Sequence, residues 1–148
     1  VSRLIASFFG SGLLLGRLRG SDRGSGTVGA LVALVAALVL ARWQAQLVAL
    51  LAVTVGGWLS IRPFTASGTD PGWVVVDEAA GAHLATVGLH PLPALVAWLV
   101  FRLADVFKRA FPGVAAAESL PGATGVMADD LVAGLYGLAA GWLVQALS

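Results

Sequence analysis

Residues 125–147, GVMADDLVAGLYGLAAGWLVQAL, set two adjacent carboxylates, Asp129 and Asp130, at the mouth of an almost wholly apolar run. That run is the longest in a chain of 148 residues that is 58% hydrophobic and only 11% charged, against about 25% charged in an ordinary soluble domain. The mean hydropathy is +0.89. So small a soluble domain has to cover its surface with polar groups, and here there are too few. The membrane is the expected solvent.

Working outward, four further apolar stretches precede this one: 27–41, 47–59, 79–89 and 94–104. A complete span needs about 20 residues at 1.5 Å each, and only the last stretch comes close. The pattern predicts an all-α protein, a compact helical membrane protein with short or broken membrane-embedded helices, in one domain over 1–148. His90-Pro91-Leu92-Pro93 must interrupt the chain, since each proline lacks a donor and restricts its predecessor. The N-terminal run has an arginine ahead of apolar residues but no small-x-small cleavage site, and reads as part of the mature protein.

The first two stretches, separated only by Arg42-Trp43-Gln44-Ala45-Gln46, fit either a helical hairpin or one long helix. With a hairpin there, and another from the third and fourth, Arg17, Arg19, Arg23, Arg62, Arg102, Lys108 and Arg109 fall on one side and Arg42 on the other. The positive-inside rule makes the crowded side cytoplasmic. The net charge of +1 and the lack of a basic run give no sign of a nucleic-acid partner. The absence of cysteine excludes disulfides, thiolate metal sites and cysteine nucleophiles.

Six of the eight acids lie in three motifs: DPGWVVVDEAAG, FRLADVFK and GVMADDLVAG. On the topology above, all three lie at cytoplasmic ends of apolar helices. Two pair their acids with small residues one turn later, Ala80 and Gly81 in one, Ala133 and Gly134 in the other. Acids suit the positive end of a helix, and small residues let backbones approach. The alternative for each acid alone is a helix cap. Together they predict carboxylates from different helices around one hard cation, because converging like charges in low dielectric repel unless something positive joins them. Lys108, the chain's single lysine beside eight arginines, follows Asp105 by three residues, with Arg102 three back on that face. Both are candidate phosphate ligands. Thr27, in the glycine-rich helix start RGSGTVGAL, is a weaker one. His83 and His90 are assigned no role.

The segments SGTVGALVAL, VVVDEAAGAHL, FRLADVFKRAFPG and LPGATGVMADDLVAGLYG resemble, in order and spacing, those of the phosphatidylglycerophosphatase A family. Its pattern runs PGT-x-GS, V-x-DE-x-x-G, FR-x-FD-x-x-KP and G-x-GIM-x-DD-x-x-AG. Ser25, Ala30, Ala104, Arg109 and Ala123 depart from it, while Asp77, Glu78, Arg102, Asp105, Lys108, Asp129 and Asp130 match. The resemblance implies a Mg²⁺-dependent lipid phosphatase that converts phosphatidylglycerophosphate to phosphatidylglycerol in bacterial phospholipid synthesis. It also implies a multi-pass protein of the bacterial inner membrane with its site facing the cytoplasm. On that reading Glu78, Asp105, Asp129 and Asp130 hold Mg²⁺; Asp77, Asp105 and Asp130 carry the chemistry; Arg102, Lys108 and Thr27 take the phosphate. The missing cysteine and the placement of the histidines separately exclude two other phosphatase chemistries; no D-x-D-x-[TV] motif is present, and both water attack and a phospho-aspartyl intermediate stay open. The alternatives are an ion- or proton-coupled membrane transporter, and a phosphatase for another lipid phosphate.

Overall fold

The computed structural model describes residues 1–40, 42–66 and 69–148, and these are helical with no strand. The helices are α1 (Ser2–Ala6), α2 (Ser11–Arg19), α3 (Ser25–Val39), α4 (Trp43–Thr65), α5 (Val76–Ala85), α6 (Pro91–Val106), α7 (Val114–Glu118) and α8 (Ala123–Leu147), with a single 3₁₀ turn at Lys108–Ala110. Ala41, the last residue of the first apolar stretch, lies outside the described residues. The break expected at His90–Pro93 is present: Pro91 opens α6, where its missing donor costs no helical hydrogen bond.

The inside of the bundle is built from small residues and the outside from large apolar ones. Ala30, Ala33, Ala79, Ala80, Ala82, Ala85, Ala97, Ala104 and Ala133 are wholly buried, whereas Leu31, Val35, Leu51, Leu59, Leu99, Leu103, Leu135 and Leu143 are exposed. Water would not stabilise that arrangement. Lipid does, because tails solvate leucine as well as a protein core does, and helices then associate by close backbone packing. Together with two helices long and apolar enough to cross, α4 and α8, this makes the chain a membrane protein.

Length is where the second apolar stretch departs from expectation. It reads as 13 apolar residues but folds as the 23-residue α4, so the last stretch is not alone in reaching span length. Polar flanking residues join the helix because their side chains are satisfied locally. Ser60 and Thr65 donate back to the carbonyls of Gly57 and Ile61 at 2.8 and 3.1 Å, while Gln46 reaches across to the end of α3, donating to Ala37 O at 2.9 Å.

α3 and α4 run in opposite directions, as a hairpin requires, yet among the described residues they hardly touch. The buried α5 packs against both, and α8 packs on α4, α5, α6 and α7. The ends are tied separately. Far from the acids, Gln46 Oε1 accepts from Gly88 N–H at 2.7 Å, and Gln145 Oε1 accepts from His90 N–H at 2.7 Å. His83 Nε2 lies 3.0 Å from Gln46 O, which gives that histidine a structural place. At the other end the starts of α3, α5 and α8 meet the ends of α4 and α6.

Candidate metal and phosphate site

Backbone contact between α5 and α8 builds the site. A Cβ on Gly81 would sit 2.5 Å from Asp130 O, and one on Gly134 would sit 2.6 Å from Gly81 O. The helices therefore cross glycine on glycine. Asp77 and Asp130 each lie four residues before their glycine, hence on the same faces, and the crossing turns them toward each other. Glu78 completes the group from α5, and one carboxylate oxygen from each of Asp77, Glu78 and Asp130 lies within 4.8 Å of the others. α3 closes in from a third side: Gly26 leaves room for the Glu78 carboxylate, which any Cβ there would strike.

Asp77 and Asp130 are only 4% and 3% exposed, and no ion pair among the described residues reaches either of them or Glu78. Asp77 Oδ1, Glu78 Oε2 and Asp130 Oδ1 are buried without a hydrogen-bond partner. Buried polar atoms are almost always paired, so three orphaned oxygens at one point mark a place for a cation. Burial pushes the Glu78 carboxyl up to about 7, with a hydrogen bond shared with Asp77 opposing it, the Asp105 charge adding and Arg102 opposing. Burial likewise holds Asp77 well above its ordinary range, with Glu78 and Asp130 reinforcing it. Metal-free, this cluster retains protons. A hard cation with oxygen ligands would replace them.

The remaining candidates form a rim of ion pairs. Asp105, near the end of α6, is paired with Arg102, whose Nη2 also donates to Thr27 Oγ1 on α3 at 3.3 Å. Lys108 donates to Asp129 on α8 and to Glu118 on α7, the latter at 2.8 Å. Burial alone would lower the lysine, but its bonds to Asp129 and Glu118 outweigh that and raise it, so it stays charged. The structure thus brings Asp77, Glu78 and Asp130 together and sets Asp105 and Asp129 against the two cations beside them.

The helix-cap alternative fails for the opening pair. α8 begins at Ala123 and has no acid in its first turn, so Asp129 and Asp130 stand two turns inside it. Asp77 and Glu78 do occupy the first turn of α5, but no side-chain capping bond forms there.

Two residues near the rim are not among the sequence-derived candidates. Glu118 lies on a separate short helix, ten residues from Lys108, a spacing that carries no periodic signal. Asp70, in the loop before α5, shares a cleft with Thr65, Glu118 and Asp129. Burial and the Asp129 charge push its carboxyl up to about 6.

A family model described as Phosphatidylglycerophosphatase A matches residues 4–145. A Bacteroides thetaiotaomicron protein named "Putative phosphatidylinositol-3-phosphatase" is 30% identical over 99 residues, covering 64% of this chain and 61% of its own length. The chain thus matches about three fifths of that curated relative. No solved structure matches the chain.

Proposed function

The chain belongs to the phosphatidylglycerophosphatase A family, and on that premise we propose that it is a Mg²⁺-dependent phosphatase acting on phosphatidylglycerophosphate at the cytoplasmic face of a bacterial inner membrane. The observation that carries this reading is the trio Asp77, Glu78 and Asp130, buried, within 4.8 Å of one another and joined by no ion pair to a cation among the described residues. Their chemistry fits Mg²⁺, which prefers carboxylate oxygen and keeps positions for water and substrate phosphate. When bound, the ion would neutralise charge on the phosphate and acidify a bound water.

The protein's own groups supply the rest. Arg102 presents a planar fork to two phosphate oxygens while Thr27 steadies it. Lys108 adds a point charge from the other side of the rim. Both would have to leave their carboxylate partners to do so, and Asp105 and Asp129 would then be available as further ligands. This joins the cluster to the wider ligand set of Glu78, Asp105, Asp129 and Asp130. Asp77 Oδ1, buried and without a partner, is suited to accept the proton of an attacking water. A lipid phosphate reaches an enzyme only at the interface, and the acids gather near one end of the bundle. That position, beside Arg102 and Lys108, favours hydrolysis over an ion-coupled transporter, whose carboxylates belong in mid-membrane.

Phosphate release from phosphatidylglycerophosphate, phosphatidylinositol 3-phosphate and phosphatidic acid, with and without Mg²⁺, tests the proposal. Turnover should be fastest on the first lipid, require the metal, and fall on the order of 10³-fold in Asp130→Asn. Preference for phosphatidylinositol 3-phosphate would instead support the second reading, a phosphoinositide phosphatase, which the Bacteroides relative's name suggests. Mg²⁺-dependent turnover that survives Asp130→Asn would refute the site.

A further inference from the structure

Two arginines near the N-terminus have no carboxylate partner. Among the described residues no ion pair joins Arg3 or Arg17 to an acid. The Arg3 guanidinium instead lies 5.1 Å from the centre of the Trp73 ring. Between α1, α2 and the turn before α5 is a cleft of about 420 Å³ lined by Arg3, Leu13, Gly16, Arg17, Asp22 and Trp73. Ligand pockets start at about 300 Å³. Asp22 is the single acid among the lining residues, so two arginines share the cleft with one carboxylate.

The setting is amphipathic. Leu4 on α1, Phe9 in the turn that follows it, and Leu14 and Leu18 on α2 are all exposed. Phe8 and Phe9 both adopt left-handed backbone, at φ 44° and 58°, and the turn is held by Gly10 N–H donating to Ser7 Oγ at 3.1 Å. Left-handed conformation is unfavourable for a bulky residue, yet here it projects Phe9 outward, 74% exposed. Exposed leucine and phenylalanine flanking free arginines match the layer where acyl chains meet headgroups. The cleft also belongs to the active end of the bundle. Trp73 leads into α5, and Asp22 O accepts from Ser25 N–H at the start of α3 at 3.0 Å.

We propose that this cleft is a second lipid site, which holds the phosphodiester of a non-substrate anionic phospholipid between Arg3 and Arg17 while Phe9, Leu14 and Leu18 take its chains. None of its lining residues belongs to the carboxylate trio or to the Arg102 and Lys108 rim. The site therefore stands or falls separately from the catalytic proposal. Its effect is to seat the α1–α2 segment, and with it the starts of α3 and α5, at the level of anionic headgroups.

The test is lipid retention by the purified full chain, read by native mass spectrometry from nanodiscs mixing phosphatidylglycerol with phosphatidylcholine of the same chains. Wild type should retain phosphatidylglycerol preferentially, and the double variant Arg3→Gln/Arg17→Gln should lose that preference by roughly tenfold or more. The charge-preserving pair Arg3→Lys/Arg17→Lys should keep most of it. Asp130→Asn should keep all of it, which separates this lipid from one held at the catalytic centre. Hydrolysis of a short, water-soluble phosphate monoester should not change in the glutamine pair. Equal retention in wild type and the glutamine pair would overturn the proposal. So would displacement of the retained lipid by millimolar glycerol phosphate, because a free headgroup would then be the ligand.

Discussion

Gly134→Ala places a single methyl group at the point on which the carboxylate site turns. Its Cβ would lie 2.6 Å from Gly81 O and 3.3 Å from Gly81 C and Cα, where ordinary contact begins at 3.4 Å. All three atoms are backbone, so no side chain can swing aside. α5 and α8 must part by about 0.8 Å at the crossing, and Asp77 and Asp130, one turn away on those faces, separate with them. Misplacement of this size in a catalytic constellation lowers rates by about 10²-fold. Overpacking should destabilise by about 1–3 kcal/mol, partly offset by the roughly 1 kcal/mol that alanine gains over glycine in a helix. Gly56→Ala on α4 is the control, because nothing lies within 4 Å of its Cβ position and the change should be neutral or slightly stabilising. The assay is kcat/KM for phosphate release as a function of Mg²⁺, with thermal unfolding of the same samples. If Gly134→Ala matches Gly56→Ala in turnover and metal response, the glycine crossing does not set the carboxylate spacing.

Three other outcomes follow from the site's charges. The Glu78 carboxyl sits at about 7 in the metal-free fold against an ordinary 4.5, so the unfolded chain sheds that proton first. The contribution of Glu78 to metal-free stability is therefore fully present below pH 4.5, declines as pH rises from there, and is lost above pH 7. On the proposed metal site, added Mg²⁺ should take the proton's place, with a stabilising shift in Tm larger at pH 8 than at pH 5.5; a shift that shrinks with pH would contradict the buried trio. By the same logic Glu78→Gln should raise the Tm of the metal-free protein at pH 8 while abolishing its response to Mg²⁺ and lowering turnover, and a lower metal-free Tm would show that Glu78 is not under charge strain. Lys108→Met leaves Asp129, whose side chain is 5% exposed, without its cation, and should destabilise by about 3 kcal/mol in denaturant or thermal unfolding. Lys108→Arg should recover most of that stability, and the absence of any loss in Lys108→Met would mean that Asp129 is solvated.

Burial of the trio explains why a chain so poor in charge keeps its acids together. Isolated carboxylates in an alanine- and glycine-lined bundle are unfavourable by several kcal/mol each unless a cation joins them. The same small residues that let α5 and α8 touch also remove water from Asp77 and Asp130, so helix packing and cation demand have one cause. Lipid outside and close packing inside are then both required: large side chains face the tails, and the glycines and alanines are spent on the interface.

Composition and periodicity alone determined that the chain is helical, membrane-embedded, interrupted at His90–Pro93 and supplied with acids beside small residues, because these depend on local propensity and on the balance of apolar to charged groups. The same local signals understated α4, since Ser60, Thr65 and Gln46 look like helix ends until their side chains find backbone partners. They also left Asp129 and Asp130 readable as a cap, because the helix start at Ala123 has no apolar run to announce it. Only the tertiary structure decided which acids share a point and which are paired off. Asp77, Glu78 and Asp130 converge through a glycine crossing between helices about fifty residues apart in sequence, while Asp105 and Asp129 are drawn to Arg102 and Lys108. Charge type is written in the sequence, but its pairing depends on distances across the fold, and no spacing along one helix encodes those.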